Sequence, residues 1–487
     1  MFEEAETFYD SAPGPLASWV AGLGLEQTIA GQDAHAEPAL IVHPADGLSQ
    51  LAYPDATSGH AADAVAAAAR AFASWSQTSW DHRSALLERF ADAIWGARQT
   101  LTYLVAAETG RPLRRAYSEI FFSVDYVRTI AAQRLAEIDY SRTGLRARLV
   151  HRPLGVAVAI APWNGPVILA VAKLANALLA GDTLVLRPAP QTPLSALYLG
   201  MLGRDIFPPG VLNVVTGDAS VGAALVEHPD VAKISFTGST ETGRKIAAAA
   251  APGLKRLTLE LGGNDAAIVL ADADPEAVAN TVYRISLENA GQFCAAIKRL
   301  YVHDSLYAEI RDRISAMAQT AVAGAAFHPA STLAPLQSAA QRARVQGFVD
   351  DAIARGATAQ GPALTGGGEG FFLPPMLIEN CRSDFPIVAE EQFGPALPIM
   401  PFDDEAEVLS AANANQYGLG GSVWSRDVDR AIALAEKLRA GTAWINQHGA
   451  FSAALPMPFA GQSGIGMDYA HFGVAEHSRA MLINAKL

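Results

Sequence analysis

The chain has 487 residues, half of them apolar and 17% charged, a globular balance that excludes a disordered protein and is long enough for two or three domains. Its 49 acidic and 36 basic residues leave a formal net charge of −13, which opposes nucleic acid and anionic membranes as general partners. The only cysteines are Cys294 and Cys381, too few for a disulfide framework, so both are expected to be reduced, in the cytoplasm.

No Lys or Arg precedes Arg70, so the start of the chain carries neither the basic region of a secretory signal nor the arginines of a transit peptide. Residues 1–37, with Pro13, Gly14, Pro15 and many acids, read as an irregular arm. From 61 to 110 the pattern is helical: Leu86, Phe90 and Ile94 share a stripe continued by Leu101, Leu104 and Val105, and Gly110 and Pro112 end it. The longest apolar region, 156–179, is interrupted by Pro162, Asn164, Pro166 and Lys173, whereas a membrane span needs about 20 predominantly apolar residues. It reads as buried strand, turn and helix.

Short apolar runs at 156–161, 183–186, 211–215, 231–236 and 257–261 alternate with helical stretches and predict a doubly wound parallel sheet. A second series, at 266–270, 299–303, 397–402, 421–424 and 442–446, predicts a second α/β domain. Residues 145–151 and 480–485 read as strands outside both series.

Three residues in this order carry chemistry. Asn164 lies in Pro162-Trp163-Asn164-Gly165-Pro166, which ends a strand and opens a helix, with Pro166 suited to its first turn. Glu260 stands between Leu259 and Leu261 at the end of an apolar strand, an expensive place for a carboxylate, and Gly262 and Gly263 follow it, so the backbone can open a crevice where α/β ligands bind. Cys294, flanked by Gly291, Gln292, Ala295 and Ala296, has room for a substrate carbon to approach its sulfur. A cysteine in a core is usually a small buried hydrophobe; a helix start or an electropositive neighbourhood would favour its thiolate. Thiol, carboxylate and amide are the groups needed to attack a carbonyl, activate water against the thioester and hold the oxyanion. The run Phe236-Thr237-Gly238-Ser239-Thr240 joins a strand to a helix whose N-terminus offers N–H groups to a pyrophosphate, with Ser239 a plausible cap; its spacing is not the ordinary G-x-G-x-x-G.

Taken together, these motifs resemble the NAD(P)-dependent aldehyde dehydrogenase superfamily, in family order from about Pro38 to the C-terminus. The resemblance implies an α/β, aldehyde dehydrogenase-like fold of two doubly wound domains with a small β oligomerisation arm. Residues 1–130 and 154–262 would form the coenzyme-binding domain, 263–462 the catalytic domain, and 131–153 with 463–487 the bridging segments of a homodimer or homotetramer. It further implies oxidation of an aldehyde to a carboxylic acid with NAD or NADP and no metal. Cys294 would be the nucleophile, Glu260 the general base, and Asn164 an oxyanion donor alongside the backbone N–H of Cys294. Members that transfer the acyl group to coenzyme A typically lack this glutamate, so hydrolysis is expected. Trp163, Arg187, Gly217, Gly238, Ser239, Gln341, Glu391 and Phe393 would contact the coenzyme, and Gly165, Ala172, Phe293, Ala295 and Phe451 would line the substrate tunnel, with room for a bulky or aromatic aldehyde. A semialdehyde dehydrogenase with a charged substrate, or a non-catalytic binding protein on the same scaffold, are the alternatives.

The chain departs from the family in two places. Pro458-Phe459-Ala460-Gly461-Gln462-Ser463-Gly464 stands two residues short of the common Pro-Phe-Gly-Gly-x-Lys-x-Ser-Gly, after a loop (447–457) longer than usual. Arg187-Pro188-Ala189-Pro190 replaces Lys-Pro-x-Glu, whose lysine and glutamate contact the adenosine ribose. Arg187 either pairs with a 2′-phosphate or takes the lysine's place on the ribose. The glycines of 366–370 lead into no helix and read as a surface turn; Asp403, Asp404 and Glu405 read as a solvated helix start; His448, His471 and His477 lack metal-ligand spacing.

Overall fold

Every residue of the strand Val156–Ile160 is buried, as befits a parallel strand covered on both faces. The computed structural model describes residues 2–364 and 368–487 and sets that strand in the middle of an eight-stranded sheet. Thr183–Arg187 and Leu212–Val214 lie in parallel on one side of it, and Val231–Thr237 and Arg256–Glu260 on the other. The strand order therefore reverses between Val156–Ile160 and Val231–Thr237, the switch point beside which α/β sheets bind ligands. Gly464–Ile465 closes one edge, antiparallel to Arg256–Glu260.

The opposite edge corrects the expectation of an irregular arm. Helices Phe2–Asp10 and Leu16–Gly22 precede the strands Gln27–Ile29 and Gln32–Ala34, and Thr28 pairs antiparallel with Val214. Polarity hid the pairing: Gln27 and Thr28 are fully buried, and Gln27 Oε1 accepts from Thr216 N at 3.2 Å.

The helical stretch from 61 to 110 divides into Ser58–Trp75, Trp80–Gly96 and Arg98–Thr109, the second capped by Ser79, whose hydroxyl accepts from His82 N. Gly110 ends the third at φ 70°, where a Cβ would meet Pro335 Cγ at 2.5 Å. All six residues of the expected stripe are buried.

From Glu260 the chain passes through Gly262 and Gly263 straight into Asp265–Val269, the first strand of a seven-stranded sheet. Its neighbours Ile297–His303 and Gly420–Trp424 run parallel to it, Ala396–Phe402 and Thr442–Ile445 lie beyond them, and the two short strands Met376–Glu379 and Thr358–Gln360, absent from the predicted series, finish one edge. The carboxyl end of one sheet thus meets the amino end of the other. Outside both, Leu145–Pro153 and Ser478–Lys486 pair antiparallel over nine residues, with Ile138–Asp139 as third strand; Met481 and Leu482 are exposed on the outer strand. No helix among the described residues is long and apolar enough to cross a membrane. Of the glycine run, Gly366 and Gly367 lie outside the described residues. Asp404 caps the helix Glu405–Asn413 through bonds from Ala406 N and Glu407 N, as its position suggested.

Candidate active site

Glu260 closes its strand in full register with Thr237, so its position is fixed by the sheet. Cys294 arrives differently, on a loop in which Asn289, Ala290 and Gly291 have φ of 50°, 53° and 73° in succession. Left-handed backbone costs non-glycine residues energy that surrounding contacts must offset. Gly291 admits no side chain: a Cβ there would stand 2.3 Å from Gly394 O. Asn289 Nδ2 donates to Asn164 O (3.1 Å), Gln292 Nε2 donates to Asn289 O and Pro335 O (3.0 Å each), and Lys298 Nζ donates to Phe293 O (2.9 Å) and Cys294 O (2.6 Å).

The loop delivers the thiol to the carboxylate: Cys294 Sγ donates to Glu260 Oε1 at 3.4 Å. Both are buried, and burial raises both pKa values. For Cys294 the charge of Glu260 adds to the rise and Lys298 opposes it; for Glu260 the nearby Lys173 opposes it. The electropositive setting expected for a thiolate is therefore not what surrounds Cys294. Its cation, Lys298, is bonded to backbone carbonyls, and burial beside Glu260 favours the neutral form of the thiol. Behind Glu260 runs a second chain of polar groups, with Thr237 Oγ1 donating to Glu260 Oε2 (3.0 Å) and Lys173 Nζ to Thr237 Oγ1 (2.7 Å). A lysine in the apolar helix Pro166–Ala180 was its sequence signal, read only as an interruption. Asp468, which accepts from Asn176 Nδ2 at 2.6 Å, contributes charge to the same buried group.

Asn164 precedes that helix and its Nδ2 donates to Gln292 O (3.1 Å), two residues before the thiol. The helix is anchored by Glu119, which accepts from Val167 N (2.7 Å) and Ile168 N (3.1 Å) and is paired with Arg111. Thiol, carboxylate and amide are thus brought together from three segments.

Among the expected coenzyme residues, Trp163 meets Phe393 edge to face with centroids 5.5 Å apart, and Lys298 Nζ stands 5.9 Å from the Phe393 ring. Phe393 has φ 52°, and its carbonyl accepts from Gln341 Nε2 at 2.8 Å. Glu391 Oε1 accepts from Gly263 N (3.1 Å) and lies 3.5 Å from Lys298 Nζ. These residues form one wall next to the nucleophile loop. Across the switch point, Gly238 N donates to Glu260 O, and Ser239 caps the helix Thr240–Ala250 by accepting from Thr242 N at 3.3 Å. A Cβ on Gly243 would stand 2.5 Å from Leu261 Cδ2, so the helix start is held close to the strand end. Its first-turn N–H groups lack intrahelical partners, which fits a bound pyrophosphate. Arg187 and Gly217 stand apart from this wall, bonded to each other: Arg187 Nη2 donates to Gly217 O at 2.7 Å.

Aromatic rings flank the thiol. Phe293, Phe451, Phe459 and Tyr469 pack against the cluster of Cys294, Ala295, Leu419, Trp444 and Met457. Phe451 contacts Phe293 and Trp444 edge to face and stacks on Tyr469. Ala172 is buried, and Gly165 precedes the first helical residue. His448 bonds Ser422 Oγ (2.9 Å) and Ala295 O (3.2 Å).

Two parallel α/β sheets meeting tip to tip, with a thiol and a carboxylate in the seam, define an enzyme of the nucleophile-and-base type. The aldehyde dehydrogenase family model matches residues 32–483, and the chain belongs to that family. Phenylacetaldehyde dehydrogenase of Pseudomonas fluorescens is 37% identical over 454 residues, 88% of this chain and 89% of that protein. The structure of a mutant aldehyde dehydrogenase from Bacillus cereus is similar with a TM-score of 0.93 at 33% identity, covering 97% of this chain and 99% of the other. Betaine aldehyde dehydrogenase of Staphylococcus aureus, in complex with NAD+, gives 0.92 at 30% identity, covering 98% and 97%. The chain is an NAD(P)-dependent enzyme that oxidises an aldehyde.

Proposed function

We propose that Cys294, Glu260 and Asn164 carry this oxidation and that the substrate is an uncharged, aromatic or otherwise bulky aldehyde. The 3.4 Å contact between Sγ and Oε1 supports the first half. Glu260 takes the thiol proton as the sulfur bonds to the carbonyl carbon, and the amide of Asn164 and the N–H of Cys294 receive the oxygen of the thiohemiacetal. The nicotinamide coenzyme, when bound, supplies the acceptor for the hydride, with Trp163, Glu391, Phe393 and Gln341 holding its ribose and ring and Gly238 and Ser239 its phosphates. Glu260 releases the thiol proton to solvent and then, as carboxylate, takes a proton from the water that attacks the thioester; the acid leaves and that proton restores the thiol.

The second half rests on the rings around Cys294 and on the state of the buried cations. Lys298 is bonded to two carbonyls and Lys173 to Thr237 Oγ1, which leaves neither free for the second carboxylate of a semialdehyde. Aldehyde-dependent reduction of coenzyme, compared across phenylacetaldehyde, a short aliphatic aldehyde and succinic semialdehyde, tests it. The aromatic substrate is expected to give the highest kcat/KM, and preference for the semialdehyde would overturn the assignment.

The two sheets and the separate three-stranded one support a division into coenzyme-binding residues 1–130 and 154–262, catalytic residues 263–462 and bridging residues 131–153 and 463–487, save that Gly464–Ile465 of the last stretch pairs with the first sheet. Exposed Met481 and Leu482 on the edge strand Ser478–Lys486 support assembly into a homodimer or homotetramer through that strand. Two free thiols fit a cytoplasmic setting.

A further inference from the structure

Beside the end of the strand Thr183–Arg187 stands Asp55, to which the family pattern gives no role, and the inference drawn from it rests on the coenzyme site proposed above. Arg187 is 8% exposed. One side of its guanidinium is held by backbone, Nη2 donating to Gly217 O (2.7 Å) and Asp218 O (2.8 Å), while Nε is buried without a partner. The capturing carbonyl is itself fixed: Gly217 has φ 112°, and a Cβ there would fall 2.5 Å from Val221 Cγ2. Asp218 is equally committed. Its Oδ1 accepts from Ser220 N (2.8 Å) and Ser220 Oγ (2.6 Å), capping the helix Ala219–Glu227 and remaining an anion.

Asp55 reaches the same place from a distant segment. Its neighbour Ala56 donates from N to Thr216 Oγ1 (3.3 Å), and Ala56 O lies 3.1 Å from where a Gly217 Cβ would stand, so Asp55 sits over the carboxyl end of Leu212–Val214. Asp55 Oδ1 is buried and has no hydrogen-bond partner among the described residues. Burial and then the charge of Asp218 raise its pKa, while Arg187 lowers it. One arginine against two aspartates leaves the cluster with a surplus negative charge. That is the wrong sign for a 2′-phosphate. A carboxylate with an unpartnered oxygen at this end of a dinucleotide crevice is the group that accepts a ribose 2′-hydroxyl.

We propose that Asp55 selects the coenzyme: its carboxylate accepts the adenosine ribose hydroxyls in place of the glutamate missing at Pro190 and repels a 2′-phosphate, so NAD is preferred, and Arg187 is a positioning cation rather than a phosphate ligand. Coenzyme binding without aldehyde, followed by the fluorescence of NADH and NADPH, tests this independently of turnover. The unaltered protein should bind NADH at least about tenfold more tightly, equivalent to about 1.4 kcal/mol, and the gap should narrow with added salt as the repulsion is screened. Asp55→Asn should reduce the NADH/NADPH affinity ratio about tenfold, weakening NADH and strengthening NADPH, and Asp55→Glu should keep NADH preferred. Equal binding of the two coenzymes, tighter NADPH binding at low salt, or an unchanged ratio in Asp55→Asn would overturn the assignment. Should Asp55→Asn fail to fold, the salt series on the unaltered protein and the Asp55→Glu ratio decide. Binding of neither coenzyme would overturn the coenzyme site itself, whereas equal binding of both would leave that site standing and remove only the role of Asp55.

Discussion

Glu260 and Cys294 meet at 3.4 Å from opposite kinds of backbone. Glu260 ends a strand whose five residues are in register with their neighbour, so ladder hydrogen bonds place it. Cys294 ends a loop with three successive left-handed residues, held by Asn289, Gln292 and Lys298 through bonds from side chain to backbone. The base is located by regular structure and the nucleophile by specific side chains. Damage to the sheet should therefore appear as lost stability, and damage around the loop as lost catalysis.

The largest effect is expected at the nucleophile. Cys294→Ala should abolish aldehyde-dependent coenzyme reduction, both steady-state and single-turnover, and residual activity would place the nucleophile elsewhere. Asn164→Ala should lower kcat by about 10²–10³, the usual cost of one oxyanion donor. A fall in substrate affinity alone would instead make Asn164 a tether of the loop through Gln292.

A titration sharpens the comparison from the side of the base. Glu260 must be ionised to take the thiol proton, and its pKa is raised, mainly by burial. The acid limb of kcat/KM should therefore fall above the ordinary carboxylate value of 4.5, activity being lost as the pH drops through the raised pKa. Lys173→Met removes the ammonium that opposes the rise, so the limb should move further up in pH; a limb that stays or moves down would detach Lys173 from the base. The smallest kinetic effect is expected in the first sheet. Leu184→Ala, in a fully buried strand, should cost roughly 2–5 kcal/mol of stability while kcat changes little. Thermal unfolding and steady-state rates on one preparation separate the two.

The sequence showed the regular half of this arrangement more clearly than the irregular half. Apolar runs such as 156–161 and 257–261 announce parallel strands because burial on both faces leaves no polar alternation, and the Glu260-Leu261-Gly262-Gly263 run marks a strand end. Cys294 and Asn164 were legible as motifs. The charge state of Cys294 was not, because burial and the carboxylate of Glu260 act through space across 34 residues. Lys173 and Lys298 were passed over because a lone lysine in an apolar stretch gives no hint of which oxygen it faces. Gln27 and Thr28 read as irregular because they are polar residues buried in a three-residue strand next to the sheet's edge, a pattern hydrophobic periodicity cannot register.

The central claim is that Glu260 serves twice, removing the thiol proton and later activating water. Pre-steady-state reduction of coenzyme by Glu260→Gln, measured by rapid mixing from neutral to alkaline pH, tests both at once. At neutral pH the burst should be much slower than in the unaltered protein. As hydroxide ionises the thiol the burst rate should recover, while steady-state turnover stays depressed because deacylation still lacks its base. A burst at the unaltered rate at neutral pH, or full steady-state turnover at any pH, would contradict the account.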